Sequence, residues 1–185
     1  FGYDYTFYNL GKTIDGDDGS NSLTGTAGDD TLRGFAGSDG LYGGDGDDVL
    51  EGGAGLDYLA GEAGSDTLRG GTGADTLNGG AGADTLSGGD DNDTLEGEAG
   101  GDTINGGLGD DWIEADAGRD HVDAAQGDDV VMGGADDDWL YGRAGDDDLE
   151  GGTGDDHLEG GTGADELFGG DDEDILEGHA GDDIL

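Results

Sequence analysis

Gly70-Gly71-Thr72-Gly73-Ala74-Asp75-Thr76-Leu77-Asn78 is followed without a break by Gly79-Gly80-Ala81-Gly82-Ala83-Asp84-Thr85-Leu86-Ser87. Both nonapeptides carry Gly at positions one, two and four, Asp at six, Thr at seven and Leu at eight. A self-similar unit of this kind sets the architecture of the whole chain. Positions seven to nine alternate polar, apolar, polar, with a β-branched residue at the seventh. That pattern predicts a three-residue strand with its middle side chain inward. Positions one to six predict a turn, since glycine supplies φ > 0 conformations and lets the backbone approach a ligand closely. Strand, turn, strand, turn makes one coil from two units. Stacked coils then give two parallel sheets with the leucines between them.

On either side of this pair the frame runs from Gly16 to Leu185 with no insertion or deletion, as eighteen complete units and a nineteenth one residue short. The eighth position is aliphatic in all nineteen, with Ile104, Ile113, Val122 and Val131 the only departures from leucine. The sixth is Asp everywhere except Asn21, and the first is Gly everywhere except Ala115 and Ala124. At ~4.8 Å per coil such an array predicts a rod of roughly 45 Å. The fold class expected is therefore all-β, a parallel β-roll.

Composition taken without order points elsewhere. Of 185 residues, 49 are acidic and five basic, for a net charge of −44. Leu, Ile, Val and Phe together number 31. High charge with few large apolar residues is the signature of intrinsic disorder. A disordered tail has no reason to keep a nine-residue frame, so composition describes the metal-free state. The charge excludes nucleic acid as an ordinary partner and disfavours an anionic membrane surface. With no Cys, neither a disulfide nor a thiolate metal site is available. No apolar run approaches a transmembrane length. Phe1 is followed by no charged and then apolar leader, so the sequence reads as an internal piece of a longer protein.

One aliphatic residue per unit is a thin core, and 49 carboxylates repel one another. A bound cation is required to hold the roll together. The available ligands are all oxygens, Asp carboxylates and turn carbonyls, which suits the flexible, six- to eight-fold coordination of Ca²⁺. Turns on one side of the roll come from alternate units, so an ion can sit between the turns of units i and i+2. One ladder contains Asp39, Asp57, Asp75, Asp93, Asp111, Asp129, Asp147, Asp165 and Asp183 after Asn21. The other contains Asp30, Asp48, Asp66, Asp84, Asp102, Asp138, Asp156 and Asp174, with Asp120 beside Arg119 left out of the ligand set. The gaps between these turns admit at most about seventeen Ca²⁺, enough to bring the charge of −44 to about −10.

The pattern Gly-Gly-x-Gly-x-Asp-x-Leu-x resembles the RTX nonapeptide of calcium-dependent β-rolls over residues 16–185. The resemblance implies a right-handed parallel roll, export in an unfolded state by type I secretion, and folding on meeting millimolar extracellular calcium. It implies a secreted or cell-surface protein of adhesin, matrix-fibre or S-layer type, with calcium and neighbouring rolls or domains as partners. The alternative it allows is the secretion and folding module of a secreted enzyme whose catalytic domain lies outside this chain. The chain itself is expected not to be an enzyme.

Residues 1–15, with aromatics at Phe1, Tyr3, Tyr5 and Phe7, read as a strand that caps the roll or ends an upstream domain. His121, His157 and His179 occupy unrelated repeat positions and read as solvated residues, not as a catalytic or zinc set. Recurrent pairs such as Asp47-Asp48 and Asp155-Asp156 are features of the repeat, not acid/base pairs. Trp112, Trp139, Tyr58, Tyr141, Tyr42 and Phe168 fall at outward positions. Ice-binding rows are not expected, because no turn carries Thr-Gly-Asn. Asp91, Asp136 and Asp172 replace the fourth-position glycine, where Asp tolerates left-handed geometry. Units 115–132 lack the opening glycine in both ladders, and Arg119 puts a positive charge in a turn. They are expected to be the weakest stretch of the rod.

Overall fold

The computed structural model describes residues 11–185, and among these it holds nineteen strands and no helix. The first two strands, β1 (Thr13–Asp15) and β2 (Ser22–Thr24), have three residues each. Every later strand, from β3 (Thr31–Ala36) to β19 (Ile175–Ala180), has six. Odd-numbered strands form a ten-stranded sheet and even-numbered strands a nine-stranded sheet, each in chain order. All pairing is parallel and in frame: Leu68 stands opposite Leu86 in one sheet, and Leu77 opposite Leu95 in the other. Consecutive strands therefore alternate between two sheets, the two-sheet roll that the period predicts.

From β3 on, the strands are longer than the expected three residues. Each runs from the seventh position of one unit through the third of the next, as in Thr67–Thr72. The inward alternation of the eighth position continues to the first, so Leu68 and Gly70 are both buried while Thr72 is exposed. Only positions four to six are left to turn the corner. Left-handed backbone is confined to positions two and four. Ten non-glycine residues take it there, Phe35, Glu62, Glu98, Asp116, Ala125, Arg143 and His179 at position two and Asp91, Asp136 and Asp172 at position four. Such a conformation costs an L-residue roughly 1–2 kcal/mol, which the register of the stacked coils must overcome.

The core is a single file. Every eighth-position side chain from Leu32 to Leu167 is at most 2% exposed. Ile14, Leu23 and Leu176 pack against its ends half-buried, and Leu185 is exposed. Ile14 belongs to β1, which pairs with β3 through Ile14 opposite Leu32, so the inward column already includes the strand before Gly16. Residues 1–10 of the expected aromatic strand lie outside the described residues. The stretch expected to be faulty shows no break. In β12 (Trp112–Ala117) Ile113 stands opposite Val131, and in β13 (His121–Gln126) Val122 stands opposite Leu140.

Candidate metal centre

At each corner the chain turns through positions four to six and enters the next strand at seven. The sixth residue sits at the strand's mouth with its side chain directed into the roll. Asp30, Asp39, Asp48, Asp57, Asp66, Asp75, Asp84, Asp93, Asp102, Asp111, Asp120, Asp129, Asp138, Asp147, Asp156 and Asp165 are all at most 3% exposed. Burying so many carboxylates without compensating charge is strongly unfavourable.

Their two oxygens are used differently. Oδ1 accepts the amide N–H of the aspartate one coil earlier: Asp57 donates to Asp75 at 2.8 Å, Asp75 to Asp93 at 2.7 Å, and Asp66 to Asp84 at 2.7 Å. Bond after bond, this ties each ladder together along its own edge of the rod. Oδ2 has no such partner. In fifteen aspartates, from Asp39 to Asp165, it is buried and receives no hydrogen bond. Buried polar atoms are nearly always paired, so a repeated orphan acceptor calls for a ligand that brings positive charge.

The opening glycine closes the arrangement. A Cβ added to Gly70 would lie 2.4 Å from Oδ2 of Asp75 and 2.7 Å from the carbonyl oxygen of Gly88, one coil on. At Gly88 the corresponding distances are 2.3 Å to Asp93 and 2.7 Å to Gly106. This glycine is thus required for space, not for an unusual φ, which corrects the turn role expected for it. Carboxylate and carbonyl oxygens crowd against its Cα, and both are acceptors. No cluster of three or more His, Asp or Glu side chains forms a cage among the described residues. With one carboxylate per turn, turn carbonyls must complete any coordination. An all-oxygen, charge-poor, adaptable site of this kind fits Ca²⁺. The sixth-position carboxylates would hold it, and the metal would supply the charge that Oδ2 lacks.

Burial also shows in the carboxylates' acidity. Asp66, Asp93, Asp102, Asp129 and Asp138 are pushed up to about 7. Asp75, Asp111, Asp120 and Asp147 are pushed up to about 6. Loss of solvation is the largest cause. The amide bond to Oδ1 opposes it, and neighbouring carboxylates add to it.

Not every expected ligand stands alike. Oδ2 of Asp30 accepts both the amide and the hydroxyl of Thr26, the latter at 2.9 Å, so that carboxylate is already satisfied. Asp174 and Asp183 end the ladders half-exposed, accepting from Asp156 at 3.0 Å and Asp165 at 3.2 Å. Asp120, left out of the expected set, is fully buried in the same ladder. Its neighbour Arg119 does not enter the roll; the guanidinium pairs with Asp137 on the exposed rim. The fifth-position carboxylates form a separate outer line. Asp47 and Asp155 are exposed and accept the amides of Ser65 at 2.9 Å and Glu173 at 3.1 Å.

Stacking also brings together residues that are far apart in sequence. The Nε2 atoms of His157 and His179 lie 3.0 and 3.3 Å from the carboxylate of Glu159, on β17 (His157–Thr162) and β19. The His157 hydrogen bond is the main reason Glu159 is held below the usual carboxylate range. On the same sheet Arg143 lies 4.5 Å over the ring of Tyr141, whose centroid is 5.2 Å from that of His121. His157–Glu159 and Tyr141–Arg143 each lie on one strand face, whereas His179–Glu159 and His121–Tyr141 are close only because strands i and i+2 are paired. Linear spacing does not reveal this.

A family model of the RTX calcium-binding nonapeptide repeat, in four copies, matches nine overlapping segments from 15–50 to 150–185. Together they cover residues 15–185. A search of curated proteins returned no match.

Proposed function

We infer the role of this chain from its family: it belongs to the RTX calcium-binding nonapeptide repeats, and its roll is a calcium-binding module. Within that family we read it as a structural element of a large secreted or cell-surface protein, of adhesin, matrix-fibre or S-layer type. It orders itself when it meets extracellular calcium. One observation carries the reading. Fifteen buried Oδ2 atoms lack a hydrogen-bond donor, and they run along both edges of a rod whose net charge is −44. The sixth-position aspartates are the side-chain ligands in this reading, with turn carbonyls beside them.

No helix of the described residues is long and apolar enough to cross a membrane. The long, uniform array suits a load-bearing spacer. Far-UV circular dichroism of the dialysed chain, metal-free and then in millimolar Ca²⁺, tests the reading. A cooperative gain of β signal on adding calcium is expected. The same β content in both conditions would contradict it.

A further inference from the structure

The two alanines that replace opening glycines occupy the crowded space described above. Ala115 and Ala124 are fully buried and belong to the apolar core. In the flanking units, a Cβ at Gly97 would lie 2.6 Å from Oδ2 of Asp102 and 2.7 Å from the carbonyl oxygen of Ala115. At Gly106 it would lie 2.4 Å from Oδ2 of Asp111 and 2.7 Å from the carbonyl oxygen of Ala124. A methyl group and an oxygen do not approach so closely. In units 115–123 and 124–132 a methyl group occupies that crowded space, although Asp120 and Asp129 keep the buried, unpaired Oδ2 and the Oδ1 amide bond of their counterparts.

The aliphatic column changes at the same level. Four consecutive members, Ile104, Ile113, Val122 and Val131, are not leucine there and are buried with the alanines. Each valine is one methylene smaller than leucine, so two methyl groups are added to the roll and two methylenes removed. A core at native density tolerates added volume only when something nearby gives way. The substitutions are thus matched, and they make a waist with added apolar volume beside two corners whose aspartates stay buried.

We propose that this waist lacks the two calcium ions that Asp120 and Asp129 would otherwise bind, one on each edge, so that the calcium array is interrupted midway while the β-sheets continue through it. The proposal rests on the calcium reading above and assigns the vacancies within it. Asp129, which the spacing includes among the ligands, falls out with Asp120.

Native mass spectrometry and calorimetric titration of the full chain with Ca²⁺ test it. Ala115→Gly and Ala124→Gly should each add one bound ion, and the double variant two. Ala81→Gly, at an exposed third position, should add none. Should the double variant fail to fold, Gly70→Ala gives the reverse test and should remove one ion. An unchanged count in A115G/A124G, or in G70A, overturns the interruption. A parent chain that binds no calcium would instead overturn the functional reading, so the two failures are distinguishable.

Discussion

A sixth-position aspartate such as Asp75 has two oxygens with separate tasks. Oδ1 binds the amide of Asp57, and Oδ2 faces the interior unpaired. Asp155 illustrates the contrast one position earlier in its unit: it is exposed, and the one amide its carboxylate accepts, from Glu173 at 3.1 Å, is open to water. Removing a hydrogen bond to a buried charged group costs roughly 1.5–3 kcal/mol, whereas exposed contacts are worth far less. Asp75→Ala should therefore raise the calcium concentration at the folding midpoint severalfold, and Asp155→Ala should hardly move it. Equal midpoints by circular dichroism titration would refute the division of roles. The glycines divide as well. Those at positions two and four serve backbone conformation and are replaced at twelve places, ten of which keep the left-handed backbone. The opening glycine serves space and is replaced at two.

At the scale of strands, each element is supported by its neighbours in the same sheet and by one aliphatic contact across the roll. Stability in such a solenoid is close to a sum of unit and nearest-neighbour contributions, so a local weakness is not averaged away. β12 and β13 stay paired on both sides, with only the Glu98–Asp116 pair missing between β10 (Thr94–Ala99) and β12, yet Asp120 and Asp129 beside them are buried with methyl groups where other units have a glycine. As calcium is lowered, amide exchange should rise first between Ala115 and Met132, before the repeats on either side open. Hydrogen exchange at stepped calcium concentrations reads this directly. Protection there equal to that from Thr76 to Leu86 at every step would show the waist to be as firm as the rest.

Across the whole molecule, charge governs folding. The roll carries −44 with only four arginines and one lysine. The arginines spend their charge on the surface, Arg33 with Glu51 at 3.0 Å and Arg143 with Asp123 at 2.9 Å. Without metal, buried aspartates such as Asp66 and Asp102 lose protons only near pH 7, against about 4 in the unfolded chain. The folded state then binds more protons between those values. Its stability is fully present below the unfolded pKa and is lost as pH rises through about 6 to 7. The metal-free chain should consequently gain β structure as pH falls from 8 toward 5, while its calcium affinity weakens because protons compete for the same oxygens. A circular dichroism titration of the dialysed chain checks the first effect and calorimetry at two pH values the second. Loss of β signal on acidification would reverse the assignment.

Period and residue type alone determined the nineteen-unit frame, the parallel two-sheet roll, the inward aliphatic column and the oxygen-only ligand chemistry, because each depends on contacts that recur identically from unit to unit. Stacking decided the rest, because what faces a residue is set by the chain one coil away. It extended the strands from three residues to six, since the opening glycine continues the inward alternation. It left Oδ2, not Oδ1, of fifteen aspartates from Asp39 to Asp165 unpaired. It turned Arg119 out to Asp137, so that the methyl of Ala115, not a nearby positive charge, distinguishes the corner at Asp120. It also brought His157 and His179 to one carboxylate, since residues twenty-two apart in sequence become neighbours only when parallel strands pair at a fixed offset.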